Sequence, residues 1–171
     1  MDIDLKHNFM NLSDEMKVSA RSIGLCDQWF GEWKDDTSKD ELIEKFIKGI
    51  DFCIEHNFPT PKIMKERFGD RTKFHNVFID DTASIKNERT VVINGDSNVS
   101  IDYDYVSVGD IYVRHGSKCH IKASGDSRVF VTVYDSAILE VEQSENAKVF
   151  VYLHGGDCKP IGNVKIRDKR N

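Results

Sequence analysis

Between Val91 and Ile161 the chain repeats every twenty residues, and that fixed interval limits its possible folds more than any other feature. Four copies align in columns. Val91, Ile111, Val131 and Val151 form one column, and Ile93, Val113, Val133 and Leu153 form another two residues on. Ile101, Ile121, Val141 and Ile161 form a third, preceded by Val99, Cys119 and Leu139 until Lys159 breaks that row. Within each copy apolar and polar residues alternate, the period of a strand with one buried face. A unit this small cannot bury its apolar edge alone, so the copies must stack on one another. Residues twenty apart then sit on adjacent strands about 4.8 Å apart, as coils of a short β-solenoid. An antiparallel β meander or sandwich of four hairpins is the alternative, although hairpin proteins seldom keep one period through four units.

Stacking makes expectations about the outer surface. Asp102, Lys122 and Glu142 fall in one outward column of alternating sign, and His120 falls beside Glu140. These charges play no part in choosing the register, and each opposed pair adds roughly 0.2 to 1 kcal/mol. The outward side also carries Tyr112, Phe130, Tyr134, Phe150 and Tyr152. Contiguous outer aromatics mark a surface that something covers: the preceding helices, a second copy of the chain, or a ligand or foreign partner.

The preceding residues read as helices after a loose arm over residues 1 to 12. Ser13 is the expected N-cap of the first, with Asp14 and Glu15 at the positive end of its dipole. Leu25, Cys26, Trp29, Phe30 and Trp33 recur at helical spacing and form one apolar face. Core packing is the expected role of the two indoles, with a ligand platform or partner anchor as the alternative. Ser38 and Glu41 form a capping box. Behind it Leu42, Ile43, Phe46, Ile47, Ile50, Cys53 and Ile54 mark the inward face of one long helix running to about His56, with Glu44 and Lys48 placed for an ion pair. Thr60 and Pro61 start a last short helix, with Ile63, Met64 and Phe68 inside and Gly69 as its stop. Val77 and Ile79 suggest a strand outside the twenty-residue register, with Asp80-Asp81-Thr82 as its turn. The whole is an α+β chain. A helical bundle (1–70) packs on a short C-terminal β-solenoid of about four coils (91–171), with a connecting strand and loop over 71–90.

Composition narrows the function. The net charge is -5, and the excess lies in the first seventy residues, with ten Lys or Arg against fifteen Asp or Glu; residues 71 to 171 carry fourteen of each. That distribution gives no footprint for nucleic acid or an anionic membrane. Lys165, Arg167, Lys169 and Arg170, interrupted by Asp168, read as a solubilising, frayed tail. No apolar run approaches the ~20 residues of a membrane span, and the N-terminus lacks the pattern of a signal peptide. The chain is expected in the cytoplasm, where Cys26, Cys53, Cys119 and Cys158 remain thiols.

Little in the sequence points to catalysis. His115, Cys119 and His120, with His154 and Cys158 at the same His-x3-Cys spacing, are the only zinc candidates. The separation of thirty-nine rather than forty residues places the members of each pair on opposite faces, so no metal and no other cofactor is expected. Cys119 with a histidine lacks an orienting third group, and His115 with Asp135 reads as a turn contact. Asp102-Tyr103-Asp104 holds the sole carboxylate pair suited to a carbohydrate-active enzyme on a short β-helix, and solvated turn residues are the plainer reading. No P-loop, GxGxxG or GxSxG is present. Asn94-Gly95-Asp96-Ser97 and His154-Gly155-Gly156-Asp157 read as corners.

The run from Phe46 to Pro59 (FIKGIDFCIEHNFP), with Val113-Arg114-His115-Gly116-Ser117 and Lys148-Val149-Phe150-Val151-Tyr152, resembles a group of uncharacterised proteins encoded by gut bacteria and their phages. The likeness spans about residues 25 to 167 and implies no activity or site. The solenoid is also similar in style to bactofilin-type polymerising proteins, although shorter and preceded by helices. Together these readings imply a non-catalytic interaction or assembly protein that binds itself or a protein partner through the outer aromatic face. A phage-encoded host-defence inhibitor, acting by partner binding or by sequestering a small ligand, is the alternative that the resemblance adds; sequestration of a small ligand or nucleotide implies a pocket between helices and sheet, near Trp29, Trp33 and the outer aromatics.

Overall fold

A computed structural model describes residues 10–171. Most of the expected arm over residues 1 to 12 lies outside the described residues, but Asn11 and Leu12 already belong to the first helix. The chain divides into two compact units, one ending at Arg71 and the other running from Thr72 to Asn171.

Among the described residues the first unit holds five α-helices: α1 (Leu12–Ser22), α2 (Asp27–Glu32), α3 (Lys39–Lys48), α4 (Ile50–Glu55) and α5 (Pro61–Phe68). Asn11, not Ser13, caps α1, its side chain accepting from the Asp14 amide at 2.8 Å. Ser13 is instead buried in the first turn, where its hydroxyl accepts from the Trp33 indole at 3.0 Å. Tertiary packing thus claims one of two residues equally able to cap. The capping box of α3 forms as expected. The Glu41 amide donates to Ser38 Oγ at 3.2 Å, and the Ser38 amide donates to Glu41 Oε2 at 2.9 Å. Such caps are worth about 0.5 to 2 kcal/mol each.

The long helix expected to reach His56 is two. At Gly49 the backbone leaves helical values (φ -97°, ψ 28°), and α4 starts at the next residue. Glycine is among the weakest helix formers, so the break falls where resistance is least. Leu42, Ile43, Phe46, Ile50 and Cys53 are nevertheless buried together. The expected pair of Glu44 with Lys48 is not formed. The unit is tied across its helices by Arg67 to Glu15 at 2.6 Å and by Arg71, which holds both oxygens of Asp40. Thr60 caps α5, accepting from the Ile63 amide at 3.2 Å, and Gly69 ends it in the left-handed region.

Eleven strands form the second unit: β1 (Val77–Ile79), β2 (Thr82–Lys86), β3 (Thr90–Asn94), β4 (Asn98–Tyr103), β5 (Val108–Val113), β6 (Lys118–Ala123), β7 (Arg128–Val133), β8 (Ile138–Gln143), β9 (Lys148–Leu153), β10 (Asp157–Ile161) and β11 (Lys165–Asp168). Odd-numbered strands build one sheet and even-numbered strands the other, and every pairing is parallel. This is a β-solenoid of two sheets. Parallel pairing excludes the meander, which needs antiparallel neighbours.

Val91↔Ile111↔Val131↔Val151 and Ile101↔Ile121↔Val141 pair as the columns predict. These residues are 0 to 1% exposed and form a continuous core between the sheets. From β4 to β9 a strand begins every ten residues. Before each stands a small residue, Ser97, Ser107, Ser117, Ser127, Ala137 or Ala147, and all but Ser107 are fully buried in the corner. Val77 to Lys86 belong to the solenoid as well, since β1 and β2 form a shorter first coil paired at offsets of fifteen and sixteen residues.

The third column departs from expectation at its end. The corner after β9 has three residues against four in each corner between β4 and β9, so Cys158 pairs with Leu139 and Pro160 with Val141, while Ile161 lies 63% exposed. Gly156 makes this corner possible: its φ is +65°, and a Cβ there would lie 2.1 Å from the Ala137 carbonyl oxygen. The basic tail is likewise not frayed. Lys165 to Asp168 form β11, paired with β9, and Arg170 holds the Asp168 carboxylate.

Candidate functional site

Outward residues of β5, β7, β9 and β11 build the aromatic face. Asp110, Phe130, Phe150 and Lys165 stack in one column, and Tyr112, Thr132, Tyr152 and Arg167 in the next. Coil-on-coil register brings the Phe130 and Phe150 rings to 5.2 Å with 11° between their planes. Tyr134 and His154 stack at 5.0 Å and 15°. Lys165 Nζ lies 5.4 Å from the Phe150 centroid and the Arg167 guanidinium 5.9 Å from that of Tyr152. Tyr112, Phe130, Tyr134, Phe150 and Tyr152 are all half-buried. The face is a flat stack of rings with cations at one end and Asp110, paired to Arg89 at 3.1 Å, at the other.

Trp29 and Trp33 have a different setting. They do not lie on one buried helical face: Leu25 and Cys26 precede α2, Trp33 follows it, and no residue of α2 is buried. Both half-buried indoles instead line a cavity of about 350 Å³ inside the helical unit, which reaches the core side chains Met16, Phe46 and Phe68. Lys45, Lys48 and Asp51 also line this cavity.

The charged columns pair in register. Lys122 lies 3.8 Å from Glu142, and His120 pairs with Glu140 across the strands as expected, while its Nε2 lies 3.7 Å from the Glu142 carboxylate and Glu140 lies near Lys159. These contacts are exposed and worth about 1 kcal/mol or less.

The candidate chemical groups carry structural duties. His115 has a left-handed backbone (φ +57°), and its Nδ1 accepts from the Gly95 amide at 3.1 Å. Its own amide donates to Asp135 Oδ2 at 2.9 Å, so the expected turn contact runs from backbone to side chain. The Gly125 amide donates to Glu145 in the same way on another corner. Burial first, then Arg114, hold the imidazole below its ordinary pKa.

Cys119 faces the core, and burial pushes its thiol up. The short last corner brings Cys158 into the same column, so the thirty-nine-residue separation does not place these two on opposite faces; Leu139 stands between them. His154 stacks on Tyr134, away from the His115 column. Among the described residues no three His, Cys, Asp or Glu side chains are grouped to hold a metal ion. Asp104 accepts from Asn87 at 2.7 Å and is paired with Lys86, two contacts that lower its pKa in that order. Tyr103, between the two carboxylates in sequence, points inward and donates to the Glu88 carbonyl at 2.7 Å. No helix among the described residues is long and apolar enough to cross a membrane. Comparison with protein-family models, with curated proteins and with solved structures finds no match.

Proposed function

We propose that the chain is a non-catalytic assembly protein that self-associates through the outer aromatic face of its solenoid. The carrying observation is the column Asp110, Phe130, Phe150, Lys165, which runs from an acid through two stacked rings to a base. A two-fold axis lying between two such faces sets the columns antiparallel, Phe pair on Phe pair, with Asp110 of each copy toward Lys165 of the other. This is the self-complementary geometry of an isologous dimer. Flat stacked aromatics supply the apolar centre of such a contact and the flanking charges its rim.

The absence of catalysis in this reading is supported by how its candidate groups are occupied: the Cys119 thiol is buried, the His115 ring accepts from a backbone amide, and Asp104 is ion-paired. Four free thiols suit a cytoplasmic setting.

Light scattering over a concentration series tests the proposal. A dimer mass for the natural chain that reverts to a monomer in Phe130→Lys/Phe150→Lys, with unchanged circular dichroism, is the expected result. A strict monomer at all concentrations would overturn self-association.

A further inference from the structure

We propose that the cavity of the helical unit is a binding site for a small apolar molecule carrying one carboxylate. This inference concerns the other unit and stands apart from the aromatic face. A void of about 350 Å³ lies within the size range of small-molecule sites, which are mostly apolar with a few placed polar groups. Its inner end is made of buried side chains, Met16, Phe46 and Phe68 among them, so it penetrates the core rather than denting the surface.

The side wall is built to stay open. Trp33 is fixed by its indole hydrogen bond to Ser13, and its ring lies 5.8 Å from Lys45 Nζ. Trp29 stands beside Gly49, where even a Cβ would only touch its ring at van der Waals distance, 3.5 Å. α2, which carries Trp29, buries none of its residues and has no side-chain cap. It is therefore the helix of this unit with least holding it closed.

Charge selects the ligand class. Lys45 and Lys48, one helical turn apart on α3, line the cavity, and neither has an acidic partner within 4 Å among the described residues. Asp51 is the one acid in the lining among the described residues, whose charges there sum to a net positive value. An aliphatic or aromatic body on the indoles with a carboxylate toward the two ammonium groups satisfies both halves of the site; a cation of the same shape does not.

Both tryptophans of the chain line the cavity, so intrinsic fluorescence reads it directly. Titration of the full chain with octanoate, 1-octanol and octylammonium is the test. Octanoate is expected to change the emission saturably, with octylammonium binding at least ~tenfold more weakly. Lys45→Gln/Lys48→Gln should bring octanoate down to the affinity of octanol and leave octanol unchanged. Ala20→Leu, which adds bulk at a buried lining position, should abolish both responses. If that variant loses helix by circular dichroism, the three ligands and the lysine variant decide the matter alone. No saturable response to octanoate, equal binding of octylammonium, or a lysine variant indistinguishable from the natural chain would overturn the proposal.

Discussion

The ring of Tyr103 fills the place that a side chain on residue 109 would need: a Cβ built on Gly109 would lie 2.4 Å from the ring carbon Cζ and from the hydroxyl. Tyr103 ends β4 and Gly109 is the second residue of β5, and they face each other across the corner within the core. Gly109 stands in a column whose other members are Val129 and Val149, and Tyr103 in one continued by Ala123. Gly109→Ala should therefore destabilise the solenoid by about 1 to 3 kcal/mol, the usual cost of overpacking. The same substitution on a Tyr103→Ala background should cost measurably less. Urea unfolding of the four proteins gives this cycle, and additive effects would show that the contact is not what sets the cost.

Phe130 and Phe150 should couple by about 0.5 to 1.5 kcal/mol in a double-mutant cycle of alanine substitutions, the worth of an aromatic pair beyond its buried area. Thr132→Ala, on the same strand and the same face, is expected to show no coupling to Phe150→Ala.

Stability should fall with acidification through the titration of His115. Its folded pKa lies below the ordinary 6.5, with burial and Arg114 lowering it against the smaller pull of Asp135 and Asp80. The unfolded chain consequently binds more protons between the lowered folded value and about 6.5. The stability that the neutral ring confers is complete above that range and is lost as pH falls through it. Thermal unfolding from about pH 7.5 to 5 should show this slope. His115→Asn, which keeps a residue tolerant of the left-handed backbone, should flatten it.

Thiol labelling should proceed in a fixed order. Cys26 is exposed and should react first with a disulfide reagent. Cys158, half-buried and pushed up to about 11 by burial and by Asp157, should follow slowly. Cys53 and Cys119 are buried and should react only at the rate of unfolding. Fast labelling of Cys119 in the folded protein would contradict its place in the core.

Constant spacing made the register readable from Val91 to Leu153, because every intervening corner has the same length. The reading failed at Ile161 for that same reason, since counting by twenty cannot detect a corner shortened by one residue. The ten-residue half-period was present in Ser97, Ser117, Ser127, Ala137 and Ala147, but small residues leave no mark on an apolar pattern. Tyr103 is masked by the two aspartates that flank it, although it lies two residues beyond Ile101 and so shares its inward parity. In the helical unit, amphipathic spacing runs unbroken through Gly49 and conceals the break there. The spacing of Trp29 and Trp33 allows a ligand platform, but the cavity beside them cannot be outlined from sequence, because a void depends on how the helices meet.

The corner hydrogen bonds give the solenoid a direction. The Gly95 amide rests on His115, the His115 amide on Asp135, and the Gly125 amide on Glu145, so these turns are completed by the coil that comes after. Asp80 and Asn87 of the short first coil point the other way, accepting from the Asp96 and Asp104 amides. The second coil therefore meets side-chain acceptors from both neighbours, whereas at later corners the bonds back to the preceding coil end on its carbonyls, as Asp126 to Tyr105 and Ser136 to His115 do. Shortening the protein from its C-terminal side would expose one corner after another, because each would lose the later coil whose side chain completes its turn.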